Sequence, residues 1–233
     1  MVLEQEIIIE GIPYSVVISD EAETLLAAKA AGRVIVGMAG KKENPPLSMA
    51  RYLVESPEAA DNLYLERVVR RQAHLPWVIG ESRRILLREF TCEDANQVLQ
   101  EPEDQDADRV FYEPDRLLAY IENQYGLFEY GLWAVVEKER GKVIGKAGIT
   151  RVDSQGQMEL AYHIFRPYRR QGYGEEACRI VLQYVKEEYD CPVYAVLEAE
   201  NNASRTLLEK LGFAVMEQKY SESGHLYYLY EPC

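Results

Sequence analysis

The stretch Arg169–Ala177, Arg-Arg-Gln-Gly-Tyr-Gly-Glu-Glu-Ala, limits the fold more than any other part of the chain. Before it lies Met-Glu-Leu-Ala-Tyr-His-Ile-Phe, Met158–Phe165, whose aromatic and β-branched residues predict a strand. After it, Cys178, Val181, Leu182 and Val185 recur at helical spacing, and Glu175 and Glu176 occupy the first turn, where a helix dipole favours acids. A strand therefore feeds a glycine-bearing turn that opens a helix. The first N–H groups of a helix have no partner within it, and glycine lets a ligand come close to the backbone. Arg169–Gly174, R-x-x-G-x-G, is thus either an anion cradle suited to a pyrophosphate or a plain strand-to-helix turn carrying surface arginines.

Around that device the chain of 233 residues has room for one large domain or two small ones. Residues 1–80 alternate strand and helix. Tyr14–Ser19 is a strand, Glu21–Ala31 a helix stopped by Gly32, and Arg33–Met38 a strand apolar along most of its length, as in a sheet buried on both faces. A loop holding Pro45 and Pro46 follows, then a short strand at Arg51–Val54 and a helix from Pro57 to Gln72. This order suits a small, mainly parallel Rossmann-like β/α domain. Residues 74–84 form a packed connector, with the boundary near Gly80.

From Arg84 the second half, 81–233, runs strand (Ile85–Glu89), helix capped by Thr91 to Leu99, an acidic stretch from Glu101 to Asp115, and helix (Leu117–Tyr125). The acidic stretch is either a solvated loop or a mobile wall of an acceptor site. Leu132–Glu137 and Val143–Arg151 make a hairpin; Met158–Phe165, a helix over Gly174–Tyr189, Val193–Glu198, a helix over Ala203–Leu211 and strands at Phe213–Glu217 and Leu226–Tyr230 complete the series.

Composition narrows the chemistry. There are 26 basic and 39 acidic residues, a formal charge of −13, which argues against a nucleic acid gripped by its phosphates. The excess acid either draws a cationic substrate such as an amine or is simply a solvated surface. No run of 18 apolar residues predicts a membrane span, and the first residues lack the basic and apolar regions of a secretory signal. Four cysteines without paired spacing and three histidines leave no case for a metal site. A reduced, cytoplasmic protein is expected, as monomer or homodimer.

Asn201 opens N-N-A-S-R-T-L-L-E-K-L-G-F, which resembles the second signature of the Gcn5-related N-acetyltransferases (GNAT); Arg169, Gly172 and Gly174 match that family's coenzyme A loop. The opening E-S-R-R-I-L-L-R-E-F-T-C-E-D-A is similar to the first strand and helix of the branch that includes ribosomal-protein alanine N-acetyltransferases. The resemblance implies a GNAT fold of the α/β (α+β) class over 81–233, with a mixed, largely antiparallel central sheet and splayed central strands. It implies acetyl-CoA as cosubstrate, no metal, and direct attack of a primary amine on the thioester. The strand before the loop is expected to be bulged, and the pantetheine arm to lie between Met158–Phe165 and Val193–Glu198. By the same resemblance the backbone at Ile164 and Phe165 faces that arm, and Arg169, Arg170, Gly172, Tyr173 and Gly174 hold the pyrophosphate. Asn201 reaches the arm through its side-chain amide, while Ser204 either does likewise or caps its own helix. Glu159 is the first candidate for general base and Glu198 the second. His163, on the face of Glu159, either supports a water chain or is a satisfied core histidine. The family's usual tyrosine acid aligns with Leu208. That departure keeps open an alternative, a catalytically weak acyl-CoA-binding regulatory or interaction protein.

Residues 1–80 resemble the C-terminal half of haloacid dehalogenase-like phosphatases. Their magnesium-holding acid maps onto Asp20, otherwise an N-cap, but residues 1–13 contain no aspartate nucleophile. A non-catalytic module is expected.

Overall fold

A computed structural model describes residues 1–39, 47–102, 106–216 and 225–230. The loop around Pro45 and Pro46, Glu217 and Cys233 lie outside the described residues. The chain divides into two compact units, Met1–Trp77 and Val78–Cys233.

In the first unit Val2–Ile9 (β1) and Ile12–Ser19 (β2) form an antiparallel hairpin. Its turn, Glu10-Gly11, has φ of +54° and +82°, the two left-handed positions of the tight turn that matches strand twist. The first strand is an addition to the sequence reading. Ile7 and Ile9 point inward, but Glu4, Gln5 and Glu6 are all exposed and blur the period-two signal. Val34–Met38 (β3) pairs in parallel with β2 and is buried at every position, as its apolar run predicts. Leu53–Val54 (β4) completes the order β1-β2-β3-β4. Ala22–Ala30 (α1) packs Leu25 and Ala28 on Val17 and Ile35, whereas Asn62–Gln72 (α2) packs Leu65, Val68 and Val69 on Val16, Ile18, Val34 and Val36. The alternation along β2 and β3 puts the two helices on opposite faces.

Pro57–Ala59 is a separate 3-10 turn; α2 starts later because the Asp61 carboxylate accepts from Tyr64 N at 2.8 Å. Asp20 is not the N-cap of α1. That position is Glu21, and the Asp20 carboxylate instead bonds the Met1 ammonium.

The second unit holds one sheet of eight strands in the order β11-β12-β10-β9-β8-β7-β6-β5. These are Val78–Glu81 (β5), Ile85–Arg88 (β6), Leu132–Glu137 (β7), Lys142–Val152 (β8), Met158–Ile164 (β9), Val193–Glu198 (β10), Ala214–Val215 (β11) and His225–Tyr230 (β12). Val78–Glu81, within the stretch read as a connector, is a strand paired with β6. Every neighbouring pair is antiparallel except β9 with β10.

Helix α5, Tyr173–Glu188, covers one face, where Trp133 meets Tyr184 edge-on at 5.3 Å. The other face carries Phe90, Phe111, Leu117, Ala134, Val136 and Phe165. The helix read from Thr91 to Leu99 is only a 3-10 turn, Cys92–Asn96. Asp94 closes a capping box with Thr91, and Arg88 grips the same carboxylate at 2.7 and 2.9 Å, holding the chain at its first turn. The helix read over Leu117–Tyr125 is three pieces: Pro114–Tyr120 (α3), a π-helical turn at Ile121–Tyr125 and Gly126–Phe128 (α4). The widened turn lets Tyr120 and Tyr125 both reach Leu132, one accepting from its N–H and the other donating to its carbonyl, each at 2.6 Å. Asn202–Leu211 (α6) ends at Gly212, whose φ is +96°.

Candidate active site

β9 and β10 pair only at Met158↔Val193 and Glu159↔Tyr194. Beyond that point β9 keeps β8 on its far side, from Ile149↔Leu160 to Gly145↔Ile164, and β10 keeps β12 as far as Glu198↔His225. Leu160–Ile164 and Ala195–Glu198 therefore border a wedge. Strand edges of this kind bond an extended chain laid between them. The expected bulge on β9 is displaced. The extra residue lies on β8, where Thr150 and Arg151 both stand opposite Glu159. Phe165 N–H is committed to Ile144 O at 2.9 Å and is not on offer to an arm in the wedge, while Ile164 O accepts from Arg169 Nε at 2.7 Å and keeps a second lone pair.

At the open end β9 runs through a 3-10 turn, Arg166–Tyr168, into the glycine turn. Arg170 and Gly172 have φ of +59° and +86°, a left-handed alternation that gathers successive N–H groups into a concave nest. Gly172 is the N-cap of α5, so the unpaired N–H groups of its first turn face the same side. A side chain at Gly172 would be strained by φ and would meet Arg84 Nη2 at 3.1 Å, whereas at Gly174 its nearest neighbour would be Leu207 at an ordinary 3.5 Å.

The two acids beside this nest are neutralised by partners. Arg84 Nε and Ser82 Oγ each donate to Glu176 at 2.7 Å, and Lys210 and Arg179 pair with Glu175. Burial raises the Glu176 pKa, but the Arg84 and Ser82 hydrogen bonds outweigh it and leave the carboxyl below its ordinary range. Arg84 also donates to Gln171 O at 2.9 Å and lies 4.4 Å over the Tyr173 ring. The Tyr173 side chain is turned elsewhere; its hydroxyl is buried and donates to Glu137 at 2.9 Å.

Arg169 turns back from the nest as well. Its guanidinium bonds Glu101, whose side chain is only 4% exposed and which also accepts from Arg166 N at 2.5 Å. His163 Nε2 lies 2.8 Å from the same carboxylate and 3.2 Å from Arg169 Nη2. The Arg169 main-chain N–H is committed as well, to Arg166 O at 3.3 Å, while Arg170 is exposed. Glu101 lies in the stretch read as either a solvated loop or a mobile wall of an acceptor site, and nothing local marks it out. Arg84 and Ser82 were missed for the same reason: their partners are more than ninety residues away.

At the closed end of the wedge Glu159, whose side chain is 17% exposed, pairs with Arg151 at 2.6 Å and accepts from Thr150 Oγ1 at 3.0 Å. Arg151 also donates to Tyr194 OH at 3.0 Å. Glu198 is exposed at the end of β10. The cap of α6 is Asn201 and not Ser204: the Asn201 Oδ1 accepts from Ser204 N at 3.0 Å. Only its amide NH₂ is left to point at a ligand. Leu208 is 1% exposed, a core residue. Among the described residues no group of His, Cys, Asp or Glu could hold a metal ion, and no helix is long and apolar enough to cross a membrane.

A family model described as an acetyltransferase (GNAT) domain matches residues 84–214, more than half of the chain. The uncharacterized N-acetyltransferase YjdG of Bacillus subtilis is 29% identical over 99 residues, 42% of this chain and 58% of that protein. The uncharacterized protein YkkB of the same organism is 32% identical over 94 residues, 39% and 53% of the two lengths. The chain thus spans little more than half of these curated relatives. The ribosomal-protein-S5-alanine acetyltransferase of Vibrio fischeri shares the fold, with a TM-score of 0.53 over 65% of this chain and 95% of that one at 16% identity.

Proposed function

The chain belongs to the GNAT acetyltransferase domain family, and from that premise we propose that residues 81–233 move an acetyl group from acetyl-CoA to a primary amine, on a small molecule or a protein N-terminus. The observation that carries this reading is the continuity of two anion- and amide-binding surfaces: the wedge between β9 and β10 opens toward the nest at Arg170–Gly174. Acetyl-CoA supplies an activated thioester, a pyrophosphate and an amide-bearing arm. The nest and the first turn of α5 meet the pyrophosphate, the wedge edges take the arm, and the amide of Asn201 bonds it from the side. Arg84, Arg179 and Lys210 cancel the charge of Glu176 and Glu175, which would otherwise repel that anion.

The chemistry asks little of side chains. A neutral amine attacks the thioester carbonyl, the C–N bond forms, the C–S bond breaks, and a thiolate leaves with an ordinary thiol pKa of about 8.5. Proximity and orientation supply much of the rate. The proton lost by the amine is assigned to Glu159, directly or through water. Its pairing with Arg151 holds the carboxylate in place, and Glu198 is the second choice. Residues 1–80 are assigned no catalytic role.

Calorimetry with acetyl-CoA, followed by a CoA-release screen across peptides, polyamines, aminoglycosides and amino acids, tests the proposal. Failure to bind acetyl-CoA overturns it. A second reading, an acyl-CoA-binding regulatory protein, is favoured by one observation, the buried Leu208 at the usual acid position. Binding without turnover on any amine would select it.

A further inference from the structure

The phenol of Tyr162 has no role in the scheme above, and its position is unusual. It sits in the part of β9 that has left β10, and its ring comes to 4.0 Å from the Cβ position of Gly174, in the first turn of α5. Its hydroxyl lies beside Ser204, in the first turn of α6 directly after the Asn201 cap. The oxygen is buried yet closes no hydrogen bond of normal geometry, even with Ser204. Three elements assigned to the acetyl donor thus converge on one unsatisfied donor group. Leaving a buried hydroxyl unpaired costs about 1–3 kcal/mol, so such a group needs a reason in a native structure.

Resting on the acetyl-CoA reading, we propose that the Tyr162 hydroxyl is a donor-binding group: it gives its hydrogen bond to a carbonyl oxygen of the pantetheine arm in the wedge. Burial pushes this phenol up to about 12, so it is protonated at any working pH and acts as a hydrogen-bond donor. It is not the missing acid, because a phenol near 12 does not surrender its proton to a thiolate whose own pKa is about 8.5.

Tyr162→Phe keeps the ring against Gly174 and removes only the hydroxyl. The expected result is an acetyl-CoA Kd about threefold to tenfold weaker, the span of one neutral hydrogen bond. Binding of adenosine 3′,5′-diphosphate, which carries no arm, should be unchanged. The free variant should melt at or above the wild-type temperature, because it has lost an unsatisfied polar group. Equal acetyl-CoA affinity in variant and wild type overturns the inference and leaves the donor reading standing. Equal losses for acetyl-CoA and the diphosphate overturn it too, because the hydroxyl then acts through the glycine turn. A clear fall in the free protein's melting temperature overturns it as well, showing the hydroxyl bonded without ligand. Wild-type protein that ignores acetyl-CoA removes the donor reading and this inference together.

Discussion

Gly172 offers a way to separate the shape of the nest from its charge. At φ +86° an L side chain costs about 1–2 kcal/mol relative to glycine. The added Cβ of Gly172→Ala meets Arg84 Nη2 at 3.1 Å, the far end of a flexible side chain that can yield by a few tenths of an ångström. Conformation therefore dominates, and the unit Val78–Cys233 should melt about 2–8 °C lower at roughly 2–4 °C per kcal/mol for its size. Gly172→Asp bears the same strain and adds a carboxylate at the nest, for which a separation of about 5 Å from a bound phosphate is taken for scale. Two unit charges at that distance repel by about 0.8 kcal/mol in bulk water and about 3.3 kcal/mol at an effective dielectric of 20. Acetyl-CoA should thus bind the Asp variant roughly 4-fold to 200-fold more weakly than the Ala variant, and Gly172 is exposed, which favours the lower part of that range. Calorimetry at low and high salt should show the gap narrowing as the Debye length shortens. Equal acetyl-CoA affinity in the two variants at low salt refutes the placement of the pyrophosphate.

Glu176→Gln should lower stability at pH 7 and matter progressively less as the pH falls below the ordinary 4.5. A carboxyl whose folded pKa is depressed stabilises above its unfolded value, and that advantage is lost on protonation; denaturant unfolding at pH 7 and pH 3 reads the difference. Gly145→Ala would drive a Cβ into the His163 carbonyl oxygen and Ile164 across the β8–β9 ladder. It should cost more than about 2 kcal/mol, and an unchanged melting temperature would show that the ladder is looser than described. Glu159→Gln should lower kcat at least tenfold on the acidic limb with partial recovery at high pH, whereas a rise in KM alone would make Glu159 an acceptor anchor.

What the sequence disclosed was local. The turn from β9 into α5 was legible because its glycines, first-turn acids and apolar spacing all lie within about twenty residues. The wedge was legible only by resemblance, since where β9 and β10 part is a property of the sheet. Strand β1 escaped because its three consecutive polar residues break the alternation, although Glu10-Gly11 signalled a hairpin turn. Asn201 and Ser204 are both good caps, and which one caps depends on where α6 begins. The helix after Thr91 failed because Asp94 serves Arg88 as well as the capping box, an attachment made by the fold.

The fastenings of the glycine turn are uneven in their redundancy. On the α5 side the load is shared: Glu176 has two donors, Glu175 has two, and Arg84 holds Gln171 O independently of its hold on Glu176. On the β9 side Arg166 N–H, His163 and Arg169 all end on one carboxylate, Glu101. Removing one member of a buried ion pair ordinarily costs about 3–5 kcal/mol; with Arg169 39% exposed, the loss here falls toward or below the lower figure. The energy is the smaller part of the consequence. Three groups within residues 163–169 lose their common partner in a single substitution at Glu101, so drift is tolerated around the helix end of the turn better than at its strand end.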